Sequence, residues 1–576
     1  MEDKASDHEA WPARAAMLAA LGAVLGIAMD LIVEGTSRVD DDPLRLGAAS
    51  FVAVGGITFA FTLERLRWFW SIPFALGCGL VVALVFFWHG SPTGWSAGDE
   101  WRVFASILAV AIAAPLFQSV RDEGRWNLRS AEIHAHAWTN LVLWAASSAF
   151  VLISWMLAQL LAELFNLIGI DFLREAMRES IVNLAIIGGA LGAAIGLLRD
   201  RDKVLGLLQR VVTTVLSVLA PVLAAGLFLF VLALPFTGLQ PLWDKTTSTT
   251  PILLSAVAGA FFLANAVIGN SAEEEAKARV LRLSAMALSA VMLPLALVAA
   301  ISTWLRIDQH GFTPERLWAL IFVLVVLAVA AAYLWALVRG RSAWPQRIRP
   351  TNVHLALGIC GLALLLSTPL INFGAISTRD QVARLEAGKV KPEQFDWAAL
   401  RFDFGPSGRR ALQRLQLQGP PQIRRLAAQA LQVKERWTLA EQTNVAARAD
   451  TLQRTVRVLP HPVPLPDELR QALARGSVCA TAECTLFWQP GAREAIAIGF
   501  GCPQCLASTT RLALGPKGDW LPIPGDTTST VSNPSAGQIE ADAAAQRRAL
   551  ASGRVEMRQV VRRQVFIDGK PASNAF

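Results

Sequence analysis

Charge is scarce in this 576-residue chain: Asp, Glu, Lys and Arg make up 17% of it, against about 25% in soluble proteins. The shortage is local. Apolar runs crowd the sequence before about Phe373 and stop after it. This pattern excludes a protein soluble throughout and predicts a polytopic membrane region followed by a soluble tail. Other absences narrow the function. The chain has no G-x4-GK[ST] loop, which excludes ATP-driven pumping within it, and no HExxH helix, which removes one protease class. No fixed-period repeat argues for a solenoid. The net charge of +8 is not gathered on one domain. Basic residues stand in short loops beside apolar runs, where they set membrane orientation and do not build a nucleic-acid surface. No nucleic-acid partner, cofactor or metal is expected. Membrane lipids are the partner that the composition implies, with an envelope protein as a further candidate.

A membrane span needs about 20 mostly apolar residues, and eleven stretches qualify. They are Ala16–Val33, Leu46–Leu63, Phe69–Trp88, Val103–Val120, Trp138–Leu167, Ile181–Leu198, Val211–Pro235, Pro251–Ile268, Leu283–Trp304, Leu317–Val338 and Val353–Phe373. The fifth exceeds one straight span, so it should tilt or project. Trp68, Trp70, Trp88, Trp101, Trp138, Trp304 and Trp318 fall near predicted ends, as an interfacial belt requires. Alternate connections carry 18 Lys and Arg against 8, which predicts a cytoplasmic N-terminus and an external tail. Asp30 and Glu34 close the first run after a mixed-charge start, so this helix reads as retained and not as a cleaved signal.

The fold class expected is therefore mostly α: a bundle of about 11 spans over 1–374, a helical juxtamembrane segment over 375–458, and a small soluble α+β domain over 459–576. In the tail, Pro392–Leu400, Ser407–Leu417, Pro421–Arg436 and Gln538–Leu550 have helical spacing. Thr485–Trp488, Ala495–Phe500, Arg511–Leu514 and Val560–Ile567 alternate as strands do, after the proline-rich Leu459–Pro466. The tail also holds Cys479, Cys484, Cys502 and Cys505. An external location favours disulfides over structural zinc or a thiol-redox role, with connectivity left open.

Within the membrane region, polar groups are the candidates for function, because a charge at mid-bilayer costs roughly 2.5–3.5 kcal/mol. Asp30 and Glu34 lie one turn apart, near the outer end of the first span. Glu163 forms a stripe with Gln159 and Asn166 on the fifth helix. Asn183, Asn265 and His354 read as interhelical hydrogen-bonding residues. Gly188, Gly192 and Gly196, with Gly22 and Gly26, form small-residue faces suited to close helix packing. Pro221, Pro235 and Pro294 are candidate kinks. His134 and His136 lie in the longest inner loop, two residues apart, a poor spacing for one metal.

A concentrated polar stretch in the apolar region is RIDQHGFTPER, Arg306–Arg316, with two arginines, two carboxylates and a histidine in eleven residues. Thr313-Pro314-Glu315 is a helix start, with Thr as N-cap, Pro at the first helical position and Glu complementing the dipole. Gly311 permits the preceding turn. The simplest expectation is an external hairpin with Arg306 and Arg316 paired to Asp308 and Glu315. Arg306, Asp308 and His310 are left less explained, and they offer a docking point for the tail. The segment RIDQHGFTPERLWAL, together with DWAALRFDFGPSGRRALQRL at Asp396–Leu415, resembles the bacterial family called domain of unknown function 4153. The resemblance runs from about Leu18 to Leu417 and implies a polytopic bacterial inner-membrane protein, with no substrate or catalytic residues supplied. The function expected first is a transport- or flippase-like protein with an external C-terminal domain. The alternative is an envelope scaffold or sensor binding a partner through its tail. The third is a membrane-embedded enzyme using Asp30, Glu34, Glu163 or Asp308 on a lipid-linked substrate.

Overall fold

The computed structural model describes residues 11, 13–33, 42–90, 94–240, 249–438, 445, 448–449, 451–452, 455–476, 479, 484–500, 505–516, 518–523, 536–554, 566–567 and 570–571. Among these, eleven helices are long and apolar enough to cross a membrane. They are α1 (Ala13–Val33), α2 (Pro43–Thr62), α3 (Trp68–His89), α4 (Glu100–Glu123), α5 (Ser130–Leu167), α6 (Ser180–Arg199), α7 (Asp202–Thr237), α8 (Thr249–Ile268), α9 (Arg279–His310), α10 (Pro314–Gly340) and α11 (Trp344–Ser367). The protein is a multi-pass helical membrane protein with a small sheet region in its C-terminal part. Most of these helices overrun the apolar stretch that predicts them, because polar flanks continue the hydrogen-bonded spiral; α11 is the exception at its C-terminal end, stopping at Ser367, six residues before the expected Phe373, and α2 ends at Thr62, one residue early. The 38 residues of α5 make a rod of about 57 Å at 1.5 Å per residue.

Packing among the spans follows side-chain size. Gly22 and Gly26 of α1 face Gly188 and Leu184 of α6, and Gly192 and Gly196 face Leu18 and Ala15; a Cβ at any of these four glycines would overlap the opposing main chain. The two helices thus meet backbone to backbone, as small-residue faces permit in lipid. Between α8, α9, α10 and α11 the core is larger and dry, centred on Leu288, Met292, Leu295, Tyr333 and Ile348. Its polar inclusion at Asn265 is satisfied across helices: Asn265 donates to Tyr333 Oη at 2.7 Å, and Asn352 donates to Asn265 Oδ1 at 3.1 Å. The prolines produce no break. Pro221 and Pro235 lie inside a continuous α7, and Pro294 inside a continuous α9.

We call the side on which α1 begins and α2, α4 and α6 end the near face; the other is the far face. After α11, helix α12 (Phe373–Glu386) starts at an Asn372 cap whose side chain accepts from the Ala375 N–H. A π-helical turn, Ala399–Asp403, leads into α13 (Gly405–Gln418).

The chain divides into two compact units: Met1–Lys391 with Ala399–Leu415, and Pro392–Ala398 with Gln416–Phe576. The second unit contains α14 (Pro421–Gln432), α15 (Asp467–Arg475), α16 (Ala536–Ala551) and a five-stranded sheet. Its strands lie in chain order: β1 (Arg457–Leu459), β2 (Cys484–Phe487), β3 (Glu494–Phe500), β4 (Ala507–Leu514) and β5 (Trp520–Ile523). β1 runs parallel to β2, and the remaining pairs are antiparallel. Leu469 and Leu473 of α15 pack with Leu486, Leu512 and Trp520 of the sheet. Cys479 and Cys484 form a disulfide, and Cys505 is disulfide-bonded as well. Cys502 lies outside the described residues, as does Glu34.

Local differences from the sequence expectation have physical causes. Pro392–Leu400 is not one helix. It turns, because Phe395 and Trp397 pack edge to face at 4.9 Å and Trp397 Nε1 donates to the Pro392 carbonyl. Strands β1 and β5 are short edges without an alternating run long enough to read. Of Val560–Ile567, only Phe566–Ile567 is described, as a strand pairing with Lys570–Pro571.

A candidate functional site at the far-face junction

The far face joins six helices around two charged side chains. Arg102 sits in the first turn of α4 and is buried. Its guanidinium donates to the carbonyls of Leu366 at 3.3 Å, Thr368 at 2.8 Å and Ile371 at 2.7 Å, the groups left open where α11 ends. Its Nε lies 3.4 Å from Asp99 Oδ1, and its plane lies 5.7 Å above the Phe373 ring. Asp99 also accepts the Ser96 N–H at 2.8 Å and approaches His89 Nδ1 at 3.7 Å, where α3 ends. The other imidazole nitrogen, His89 Nε2, is buried with no hydrogen-bond partner among the described residues.

Two further segments close the junction. Trp318 of α10 is buried and packs edge to face on Phe373 at 5.1 Å. Gly98 lies beneath the indole at φ +86°, with room for no Cβ: one would come within 2.8 Å of Trp318 Cδ1. From the other side, the Asp403 carbonyl accepts the Ala97 N–H at 3.1 Å. Gly405, at φ +62°, lets the start of α13 pass close to Ser96. Between them is a cavity of about 110 Å³ lined by His89, Asp99, Arg102, Trp318, Asn372 and Asp403. That space holds a few waters or a small polar ligand. The π-helical turn beside it is a distortion often found at functional positions.

A clamp adjoins the junction. Helix α12 presents Asp380, Gln381 and Arg384 to the turn between α9 and α10. Asp380 Oδ2 accepts the Phe312 N–H at 2.8 Å. Gln381 donates to the carbonyls of His310 at 2.8 Å and Phe312 at 3.1 Å. Arg384 donates to those of Asp308 at 3.2 Å and Gln309 at 2.9 Å. Gly311 sits at φ +75°, and a Cβ there would lie 2.5 Å from Asp380 Oδ2, so the turn needs glycine for conformation and for clearance.

The residues singled out from sequence take varied places. Thr313 caps α10 by accepting from the Arg316 N–H, with Pro314 at its first turn. Arg316 donates to the carbonyls of His310 and Gly311. Arg306, Asp308, His310 and Glu315 have exposed side chains, so the hairpin meets α12 through its main chain. Asp30 is buried and accepts from Ser180 Oγ at the start of α6, where a carboxylate complements the helix dipole. Glu163 is exposed and lies 3.6 Å from Arg174. These carboxylates sit on separate elements. His134 accepts from Trp138 Nε1 at 2.7 Å, and His136 lies 3.1 Å from Asp122.

Sequence reasoning missed His89, Asp99 and the role of Arg102, which counted only as an orientation charge. It also missed a second set of buried arginines at the near face. Arg121 donates to the Thr62 carbonyl and Arg199 to that of Phe61, at the open end of α2. Arg14 pairs with Glu64, and Arg199 lies 3.6 Å from the same carboxylate. Burial pushes the Glu64 carboxyl up, but Arg14 and Arg199 outweigh it and hold the group below its usual range.

Trp318 and Asp403 come from the two segments that carried the family resemblance, and here they line one cavity. A family model described as Domain of unknown function (DUF4153) matches residues 48–415. The chain belongs to this family. The matched range takes in the whole junction and the clamp, and it ends inside α13. No curated protein and no solved structure matches the chain.

Proposed function

We propose that this DUF4153 protein is an envelope scaffold or sensor of a bacterial inner membrane, in which the helical bundle anchors a C-terminal unit that binds a protein partner outside the cytoplasm. The clamp carries this reading. The first helix after the last span is fixed to the α9–α10 turn by three side chains acting on main-chain groups, so a displacement of the outgoing chain is felt by two spans. The use of the buried arginines supports it. In transporters, intramembrane charges line a substrate path, whereas Arg102, Arg121 and Arg199 are bonded to helix-end carbonyls. The distribution of Lys and Arg favours a cytoplasmic near face, and the Cys479–Cys484 disulfide accords with an oxidising compartment for the C-terminal unit.

A transport- or flippase-like role is the second reading, favoured by a crevice open to lipid between α2, α5 and α6. Vesicles containing the full-length protein and a fluorescent phospholipid separate the two. The scaffold reading expects leaflet exchange no faster than in protein-free vesicles, and rapid exchange would overturn it. A photo-crosslinker at Leu521, half-exposed on β5, is expected to trap one discrete protein adduct in cells; none would count against the partner. His310→Cys is expected to label from outside only, and labelling from the cytoplasm alone would reverse the orientation.

A further inference from the structure

The helices α2, α5 and α6 do not close on one another along their length. Between them lies a crevice of about 390 Å³ whose lining includes Ile57, Phe61, Trp144, Ser148, Trp155 and Leu191, apolar but for one serine. It shares Ile57, Ile187 and Leu191 with a second apolar cavity of about 150 Å³ between α1, α2 and α6. All these residues belong to membrane-spanning helices.

The gap is propped at both ends by hydrogen bonds. Toward the near face, Gln118 donates to the Phe61 carbonyl at 3.0 Å, and Asn140 of α5 donates to Gln118 at 2.7 Å. Toward the far face, Trp155 of α5 donates to Asn183 of α6 at 3.1 Å. Props of this kind fix the helix spacing, so the gap cannot close by small shifts. An empty gap of this size is costly, since lost contacts grow with cavity volume, and an apolar one does not hold water. The neighbouring medium is hydrocarbon. At the near-face end α6 runs into Arg199-Asp200-Arg201-Asp202-Lys203, three basic residues against two acidic, with Arg201 and Lys203 exposed, and the excess positive charge complements an anionic headgroup.

We propose that this crevice holds one acyl chain of an anionic phospholipid, with its headgroup at the near face against Arg201 and Lys203. The lipid is then a resident part of the bundle, filling the contact that α5 does not make with α2. This inference is independent of the scaffold reading, since a resident lipid suits either function.

Native mass spectrometry of the full chain, delipidated and then titrated with phosphatidylglycerol or phosphatidylcholine, tests it. The expected result is one tightly held phosphatidylglycerol per chain and at least a tenfold weaker phosphatidylcholine. Ser148→Trp and, separately, Ile187→Phe narrow the crevice and are expected to abolish that one lipid while the elution volume stays unchanged. Arg201→Ala with Lys203→Ala is expected to keep the lipid site and lose the preference for phosphatidylglycerol. Undiminished binding in both narrowing variants would overturn the proposal. Equal binding of the two lipids by the unaltered protein would overturn its anionic part.

Discussion

The two faces of the bundle solve one problem in different ways. Each has helix ends whose last carbonyls lack partners, and each answers with buried arginines. At the near face, Arg14 and Arg199 meet Glu64, Arg14 also nears Asp200, Arg121 pairs with Asp122, and Arg121 and Arg199 hold the end of α2, so three cations meet three carboxylates. At the far face, Arg102 holds the end of α11, but its carboxylate partner Asp99 is shared with His89, beside a polar cavity. A buried charge by itself therefore marks a joint in the fold. What distinguishes the far face is adjacent polar space, an imidazole nitrogen without a partner, and the meeting of both segments that carried the family resemblance.

The largest expected effect comes from Arg102→Ala. It leaves three carbonyls and Asp99 without their cation inside the junction, and loss of one partner from a buried ionic set costs about 3–5 kcal/mol. Thermal unfolding in detergent or nanodiscs should show it. A change smaller than that of an exposed Arg→Ala would break the comparison at its root.

Next comes the near face and its pH dependence. The folded-state pKa of Glu64 is held below the unfolded value, so its contribution is present above the unfolded pKa and is lost as pH falls through the folded one. Stability should therefore decline below about pH 4.5, the ordinary range of Glu. Glu64→Gln should flatten part of that decline and cost on the order of 2 kcal/mol at neutral pH, since the group is partly solvent-screened. An acid profile unchanged by Glu64→Gln would show that the near-face arginines are not matched by this carboxylate.

Asp380→Ala removes one charge-assisted hydrogen bond to the Phe312 N–H and should cost roughly 1.5–3 kcal/mol locally. Limited proteolysis after Glu386 should accelerate, whereas Arg306→Ala should leave it unchanged because the clamp grips main chain. The smallest effect is expected of His89→Gln, below about 1 kcal/mol, since one nitrogen already lacks a partner. A large destabilisation there would mean the imidazole is a structural tie like Arg102.

Much of this was legible in the sequence. Eleven runs of sufficient apolar length announced the spans, Thr313-Pro314-Glu315 announced the start of α10, and the glycines of α1 and α6 announced closely packing faces without saying that these two helices meet. Each signal is local, and each acts through the backbone. The far-face site was less legible because its bonds are distant: Arg102 meets carbonyls some 264 residues away, and nothing in its own neighbourhood points there. Asp403 and Trp318 lay within the segments quoted for the resemblance, yet no spacing rule says that they line one space. Arg306, Asp308 and His310 have exposed side chains, and the side chains that hold this turn, Asp380, Gln381 and Arg384, act on its main chain.

The far-face junction is expected to couple the segment leaving the membrane to the α9–α10 turn. Hydrogen–deuterium exchange of the full-length protein in nanodiscs, with and without Asp99→Asn, tests it most directly. Faster exchange is expected in 308–316 and 373–386 together, although neither segment is altered. Faster exchange confined to the residues around position 99 would contradict it.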